Sequence, residues 1–345
     1  MDNRKELLQI NLNRLSYNEL LDKRLCDLYL KIEGTEVEAR VKELYQELDN
    51  KGISFHPECY LADEWLTPDD EPVIGIPFYL AHPRLKRLER RFMLDVEGGT
   101  RKSCMMLLRH EAGHAINYAY RLYRRKRWKE LFGRFSTEYP DKYRYKPFSK
   151  RFVQHLDEWY AQYHPDEDFA ETFAVWLTPN RNWRRRYRGW KALNKLEYVE
   201  KLMREISRKR PLKSRGQKMW IVSKSKMSLK TYYRKKKKFY AEDFPDFHDI
   251  ELRKIFSKET VPSKRLQAAR LLVQHRKSIL DSVALNTGEK KYIINKLLRD
   301  LIDRSRELEL YVSHSEMDTI IRIISYVTTL IMNYLYTGSF ERKKE

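Results

Sequence analysis

The sequence predicts an α+β fold in which a small sheet and several helices are followed by a mainly helical C-terminal region. Three observations support this prediction. Apolar residues recur at helical spacing before residue 50. Residues 53–85 are instead rich in proline, aromatic and β-branched residues, a composition typical of short strands. Helical periodicity returns over residues 262–338.

The first 85 residues predict two helical regions and then strands. Apolar spacing indicates helices over residues 3–31 and 35–50, and Gly52 is a stop signal for the second. Residues 53–85 predict two or three short strands, with the turn P-D-D-E-P between them.

The next segment predicts one more strand and a long helix. "RRFMLDV" (residues 90–96) has the composition of a strand. A glycine pair then turns the chain into a helix over residues 101–130, for which Thr100 and Ser103 are both candidate N-caps.

From residue 181 the chain is first basic and then helical. Residues 181–240 contain 23 lysines and arginines against three glutamates, so they carry +20 of the chain's formal net charge of +21. Residues 262–338 predict three helices, with breaks near 286–288 and 313–315. We therefore predict four regions, which are N-terminal helices (1–34), a motif-bearing domain (35–205), a basic connector (206–260) and a helical C-terminal domain (261–345).

Composition predicts a cytoplasmic protein without a membrane span. No apolar run approaches the ~18–20 residues that cross a bilayer. The start, "MDNRKELLQI", lacks the apolar core of a signal peptide. Three widely spaced cysteines form no C-x-x-C pair, so we expect neither a disulfide framework nor a zinc ribbon, and we expect a reducing compartment.

A metal-binding motif lies in the predicted long helix. In H-E-A-G-H, His110 and His114 are four residues apart and therefore present their imidazoles on one face. Two imidazoles suit Zn²⁺, and Glu111 is placed to take a proton from a zinc-activated water. The alternative is a solvated helix in which the two histidines are incidental.

The third ligand must lie outside this helix. The three-histidine metzincin pattern needs glycine and histidine where this chain has Asn117 and Tyr120. The segment "HPDEDFAETFAVWL" predicts a second helix, with Glu167 and Glu171 four residues apart on one face. Two inward carboxylates are costly to bury unless they are paired or metal-bound. The alternative interpretation is an acidic turn on the surface.

Together, H-E-x-x-H and E-x-F-A-E about fifty residues later resemble the gluzincin zinc peptidases, and in particular a bacterial family of zinc-binding metallopeptidases. The resemblance covers roughly residues 55–200 and implies a zincin-like domain that hydrolyses peptide bonds. It implies Glu167 as the third zinc ligand. It also implies that Glu171 orients a ligand histidine, and the two glutamates exchange roles if the register is shifted.

Further site residues are predicted by position and by analogy. Tyr160 is the first candidate to stabilise the oxyanion, ahead of its neighbours Tyr163 and His164, and His164 before a proline is more typical of a cap. Related peptidases bind an extended substrate against an edge strand, for which residues 73–81 are the candidate. The candidate substrate contacts are Ile76, Tyr79, His155 and Arg184.

The basic segment supports a competing function. Arginines interleaved with aromatic residues, as in "RNWRRRYRGWK", can stack on bases and bind phosphates, or can receive an acidic peptide or partner. The main alternative is therefore a nucleic-acid- or ribosome-associated protein with a structural or vestigial zinc site. A solvated, partly disordered linker and a degenerate peptidase that serves as an interaction module are the remaining alternatives.

Overall fold

The computed structural model describes residues 12–140, 146, 149–156, 159–239, 248–258 and 266–337. These residues form two compact units. The first contains the described residues up to Arg91, from 96 to 140 and from 146 to Tyr233, and the second contains Phe92–Asp95 and the described residues from Arg234 onward. The four-part division predicted from the sequence is not tested by these units and stays a prediction.

Two helices open the described part of the first unit. Helix α1 (Tyr17–Asp22) begins with a capping box between Ser16 and Glu19, and a short 3-10 turn follows it. Helix α2 (Glu36–Asn50) is capped by the Thr35 hydroxyl and buries an apolar stripe at Val37, Val41, Leu44 and Leu48. The predicted helix over 35–50 is thus present, whereas the beginning of the one predicted over 3–31 lies outside the described residues.

The sheet of the first unit has two parallel strands, β1 (Glu58–Ala62) and β2 (Val73–Pro77). Leu66 pairs with Gly75 of β2 in the antiparallel sense, through backbone hydrogen bonds of 2.8 and 3.3 Å. Because Gly75 also lies opposite Tyr60 of β1, β2 is the central strand and the segment at Leu66 is an edge. The prediction that residues 73–81 form an edge strand is therefore wrong.

Helix α3 (Pro83–Met93) occupies the place of the strand predicted over residues 90–96, and that prediction is wrong. Proline is favoured in the first turn of a helix, and Leu85 and Leu88 bury the same face. The apolar end of α3 resembles a strand only when it is considered without the turns before it.

The motif helix α4 (Arg101–Ala119) begins at Thr100, whose hydroxyl accepts from the Ser103 N–H. It ends eleven residues before the predicted boundary because Arg121 adopts the left-handed conformation (φ 50°), and a separate helix α5 (Lys126–Phe132) follows. Three further helices complete this part of the unit, which are α6 (Pro165–Leu177), α7 (Trp183–Arg186) and α8 (Ala192–Ile206).

Residues 207–228 form an ordered strap in the first unit. The backbone N–H groups of Leu212 and Lys213 donate to the Ala119 carbonyl at the end of α4, at 2.8 and 3.0 Å. Tyr60 of β1 exchanges two hydrogen bonds with the Met219 backbone, and Ile221 bridges to the end of β1. Helix α9 (Leu229–Phe239) follows. A disordered linker is therefore wrong for the described part of the basic segment.

The second unit is a helical bundle with a two-residue antiparallel pairing of β3 (Phe256–Ser257) and β4 (Tyr311–Val312). Leucine, isoleucine and valine side chains form its core. The described part of the region predicted as three helices contains four, because His275 adds a break to those predicted near residues 286–288 and 313–315. The helices of this unit are α10 (Asp249–Ile255), α11 (Ala268–Gln274), α12 (Arg276–Thr287), α13 (Lys291–Glu307) and α14 (Glu316–Thr337).

The predicted α+β class is confirmed. All three cysteines are free thiols, as the sequence predicts. Among the described helices, none combines the length and the apolar character that crossing a membrane requires. A cytoplasmic location stays a prediction.

Candidate metal centre

Helix α4 brings His110, Glu111 and His114 together in its buried middle. The two histidines are 3% and 6% exposed, and the glutamate is 7% exposed. Just before the motif, Arg109 forms a buried two-pronged ion pair with Glu47 of α2, at 2.6 and 2.7 Å. This pair fixes α4 relative to α2, and the burial of the three motif side chains shows that they do not lie on a solvated helix face.

Helix α6 places Glu167 directly opposite the two histidines. Its Oε2 lies 3.1 Å from His110 Nε2 and 3.2 Å from His114 Nε2, and the two nitrogens are 3.1 Å apart. Two ligands of a tetrahedral zinc with bonds of about 2.0–2.1 Å lie about 3.3–3.4 Å apart. The three atoms therefore form a triangle of the size that a metal ion requires, and the donor set of two imidazoles and one carboxylate suits Zn²⁺.

The close approach of α4 and α6 depends on Gly113. A Cβ atom at this position would lie 2.8 Å from Ala170 Cα and 3.0 Å from the Ala170 carbonyl oxygen. Only glycine leaves room for the backbone of α6 at this distance. Gly113, between the two histidines, is thus what allows Glu167 to reach them.

Each histidine donates its other ring N–H to a carboxylate of α6. His110 Nδ1 lies 2.9 Å from Glu171 Oε1, and His114 Nδ1 lies 2.7 Å from Asp166 Oδ2. These bonds leave both Nε2 atoms directed at the triangle and make the imidazoles more basic ligands. Glu171 thus contacts His110, and its role as an orienting group stays a prediction.

Asp166 is the partner that the sequence analysis missed. It is 1% exposed and also accepts from the Asn117 amide (2.7 Å) and the Tyr118 hydroxyl (2.6 Å). Its position at the start of α6 is equally typical of an acid that favours the helix dipole, so the sequence carries no separate signal for the contact. Asn117 takes part in the site as a donor to Asp166.

The electrostatics of the site favour cationic histidines while no metal is bound. Burial alone lowers the pKa of His110, but the hydrogen bonds to Glu167 and Glu171 outweigh it and raise this pKa to about 9. The neighbouring carboxylates of Asp166 and Glu167 likewise raise the pKa of His114. The two histidines hold the pKa of Glu167 well below its usual range against the opposing effect of burial. The carboxylates of the site therefore favour a positive charge between them, which is carried by the histidines while no metal is bound.

Glu111 interacts electrostatically with His110, His114 and Glu167, but the effect on its own pKa is dominated by burial. Burial raises the pKa of its carboxyl group, which makes it a stronger base than an exposed glutamate. The Thr67 hydroxyl donates to its Oε2 at 2.8 Å and leaves Oε1 for another proton. Thr67, which the sequence analysis did not identify, thus orients the carboxylate.

Two tyrosines lie next to the cluster of His110, His114 and Glu167. The Tyr160 ring is 5.6 Å from the His110 ring, between centroids, and burial raises the pKa of its phenol. Tyr139, which carried no sequence signal, donates its hydroxyl to Glu167 Oε1 at 3.0 Å. His164 caps α6 through Nδ1, which accepts from the Asp166 N–H, as expected for a cap residue.

The predicted substrate contacts fall in different places. Ile76 and Tyr79 are 0% and 1% exposed, so their side chains offer no surface to a bound peptide. His155 is buried and donates from Nε2 to the Met106 carbonyl. Its Nδ1 has no hydrogen-bond partner within the described part of the chain. Arg184 is exposed, stacks on Trp183 and pairs with Glu200.

Residues 81–182 match the model of a family described as "Putative zinc-binding metallo-peptidase". The match contains both helices of the centre, and it confirms the resemblance that the two motifs indicate. The predicted zincin-like α+β domain is likewise supported. No curated protein and no solved structure gives a significant match to the chain.

Proposed function

We propose that the first unit is a zinc-dependent metallopeptidase that hydrolyses peptide bonds. One observation carries this proposal, namely that His110, His114 and Glu167 direct three ligand atoms at one point and that buried Glu111 interacts electrostatically with all three. A structural zinc site is closed by four protein ligands. In the described residues this group contains three, as a catalytic site does.

In the proposed reaction, the residues around the metal-binding atoms have separate roles. A bound Zn²⁺ would polarise the scissile carbonyl and acidify a water molecule. Glu111 accepts a proton from that water while the water oxygen forms a bond to the carbonyl carbon. The same carboxyl group then delivers the proton to the amide nitrogen as the C–N bond breaks. The Thr67 hydrogen bond keeps Glu111 in one orientation through both transfers.

Tyr160 is the proposed donor to the oxyanion. Its ring lies beside His110, and the raised pKa keeps its phenol protonated over the physiological range. A protonated phenol stabilises negative charge on the carbonyl oxygen by donating a hydrogen bond. Tyr160→Phe is expected to lower kcat with little effect on zinc content.

The edge at Leu66 is the proposed docking surface for the substrate backbone. Leu66 directs both of its backbone groups to Gly75, so those of Trp65 and Thr67 point away from β2, because successive residues of a strand alternate. An extended peptide can add to this edge by main-chain hydrogen bonds. Since the Thr67 side chain contacts Glu111, such a peptide would pass directly over the base.

Zinc content and peptide hydrolysis test the proposal together. Wild-type protein should contain one zinc ion per chain and cleave an unstructured protein such as casein. His114→Ala and Glu167→Ala should lose both properties, whereas Glu111→Gln should lose cleavage and keep zinc. Glu130→Gln, in the exposed i,i+3 pair with Arg127, is the matched control and should keep both. Wild-type protein without zinc, when purified without chelator, would refute the proposal.

A second candidate function is polyanion binding, and one observation favours it. Arg185, Arg186, Arg188 and Lys191 are exposed and form no ion pair with any described residue. The buried side chains of Trp183 and Tyr187 anchor this short segment, so its cations are held close together.

Salt-dependent RNA binding tests this second function. The triple variant Arg185→Glu, Arg186→Glu and Arg188→Glu should flatten the dependence of log K on log salt by about 2, for three lost phosphate contacts on a single strand. Glu111→Gln should leave RNA affinity unchanged. Equal affinity of the triple variant and the wild type would rule out this surface.

A further inference from the structure

The three ligand residues of the metal centre each have a second polar atom with its own partner. The Nδ1 atoms of His110 and His114 donate to the buried carboxylates Glu171 and Asp166. Glu167 differs, because its Oε1 accepts from the hydroxyl of Tyr139, a residue that is 43% exposed. The third ligand is thus the one that depends on a side chain at the protein surface.

Tyr139 is held in place by contacts on its ring. It stacks on His164, with centroids 4.0 Å apart and planes inclined by 16°. His164 is itself fixed, since its Nε2 donates to the Thr137 carbonyl at 2.7 Å and its Nδ1 accepts from the Asp166 N–H at 3.2 Å. Tyr139 thus packs on the residue that caps α6, and this contact sets the position of its hydroxyl relative to Glu167.

The bond has a consequence for how Glu167 can bind a metal. A glutamate can coordinate through one oxygen or through both. Here Oε2 faces the two Nε2 atoms, and Oε1 already accepts a hydrogen bond from the Tyr139 hydroxyl, whose oxygen lies 3.0 Å away. Coordination through both oxygens would draw Oε1 away from the Tyr139 hydroxyl toward the metal and would add a ligand beside the position that a catalytic site keeps for water.

We propose that Tyr139 is a positioning residue that restricts Glu167 to coordination through Oε2 alone. This inference rests on the proposed function, because it concerns the metal site of that function. Loss of the hydroxyl would allow Glu167 to turn its second oxygen toward the metal and would raise the coordination number by one.

Cobalt spectroscopy tests the proposal without relying on activity. Cobalt(II) replaces zinc in such sites, and the intensity of its visible bands falls when four-coordination becomes five-coordination. The Tyr139→Phe variant keeps the aromatic ring on His164 and removes only the hydroxyl. We expect its cobalt form to show weaker visible bands than the wild type, and its zinc affinity to fall about 10-fold or more.

Tyr123→Phe is the matched control. It also removes a phenol–carboxylate hydrogen bond, from Tyr123 to Asp70 at 2.9 Å, at a carboxylate that is not a ligand. It should leave the cobalt spectrum and the zinc affinity at wild-type values. If Tyr139→Phe does not fold, Tyr139→Leu replaces it; this variant also lacks the hydroxyl and should show the same weaker cobalt bands.

The outcomes separate this inference from the function on which it rests. A wild-type protein that binds cobalt and cleaves peptides, with an identical spectrum for Tyr139→Phe, would overturn the role of Tyr139 and leave the peptidase in place. A Tyr123→Phe spectrum that changes like that of Tyr139→Phe would also overturn it. A wild-type protein that binds neither cobalt nor zinc would overturn both proposals.

Discussion

Replacing Gly113 by alanine tests whether helix contact sets the metal geometry. The new Cβ would lie 2.8 Å from Ala170 Cα, whereas ordinary contacts of this kind begin at 3.4 Å. The backbone of α6 must therefore move by about 0.6 Å relative to α4, the difference between these two distances. Glu167 lies three residues from Ala170 on the same rigid helix, so it moves with it.

The magnitudes predict different effects on stability and on metal binding. Overpacking costs about 1–3 kcal/mol, but alanine is a better helix former than glycine by about 1 kcal/mol, so the net loss of stability is about 0–2 kcal/mol. Metal ligands tolerate displacements of only about 0.2 Å. A shift of about 0.6 Å is therefore expected to weaken zinc binding about 10–100-fold, by analogy with the loss of an orienting contact.

Two measurements separate these effects, namely zinc affinity by competition with a chromophoric chelator and thermal unfolding of the metal-free protein. The double variant Gly113→Ala and Ala170→Gly is the control. It removes the contact with Ala170 Cβ at 3.2 Å but not those with Ala170 Cα and the carbonyl oxygen, so it should not restore affinity. Wild-type zinc affinity in the single variant, or full recovery in the double variant, would refute the reasoning.

Three further predictions concern the surroundings of the site. Metal-free protein should lose thermal stability as pH rises from 6.5 through about 9. The folded state raises the pKa of His110, so this stabilisation is fully present below pH 6.5 and is lost above about pH 9. A stability that does not change with pH in the presence of chelator would contradict this. Asp166→Asn should weaken zinc binding about 10–100-fold in chelator competition, since His114 loses its anionic partner, and an unchanged dissociation constant would exclude that role. Lys195→Met should destabilise the protein by about 3–5 kcal/mol in urea unfolding, because it leaves the buried Asp168 carboxylate without its cation at 2.5 Å. A loss below 1 kcal/mol would show that this pair is dispensable.

The part of the site that could be predicted from the sequence follows from helical periodicity. Residues four apart on a helix share a face, so the spacing alone places His110 with His114 and Glu167 with Glu171. The structure brings the two pairs together. A single sequence does not indicate that α4 and α6 cross at Gly113. The only local sign of the crossing is a glycine between the two histidines.

The missed residues depend on tertiary contacts with no local signature. Thr67 lies 44 positions from Glu111, and Tyr139 lies 28 positions from Glu167. Either residue type is common on a surface loop, so nothing in the local pattern separates them from other threonines and tyrosines. The wrong strand at 90–96 has another cause, because Pro83 fixes a helix start seven residues upstream of the stretch that looks extended.

The strap over the end of α4 also has a consequence for how the chain folds during synthesis. The Ala119 carbonyl receives its partners from Leu212 and Lys213, so the motif helix is completed by residues that are synthesised about a hundred positions after His114. At about 5–20 residues per second, that interval lasts on the order of 5–20 s. Glu167 is synthesised 53 positions after His114, so all three candidate ligands precede the segment that bonds to the end of α4 only over the last 45 positions of that interval. The first unit, and with it a stably closed metal centre, is therefore expected to be complete only after the strap has left the ribosome.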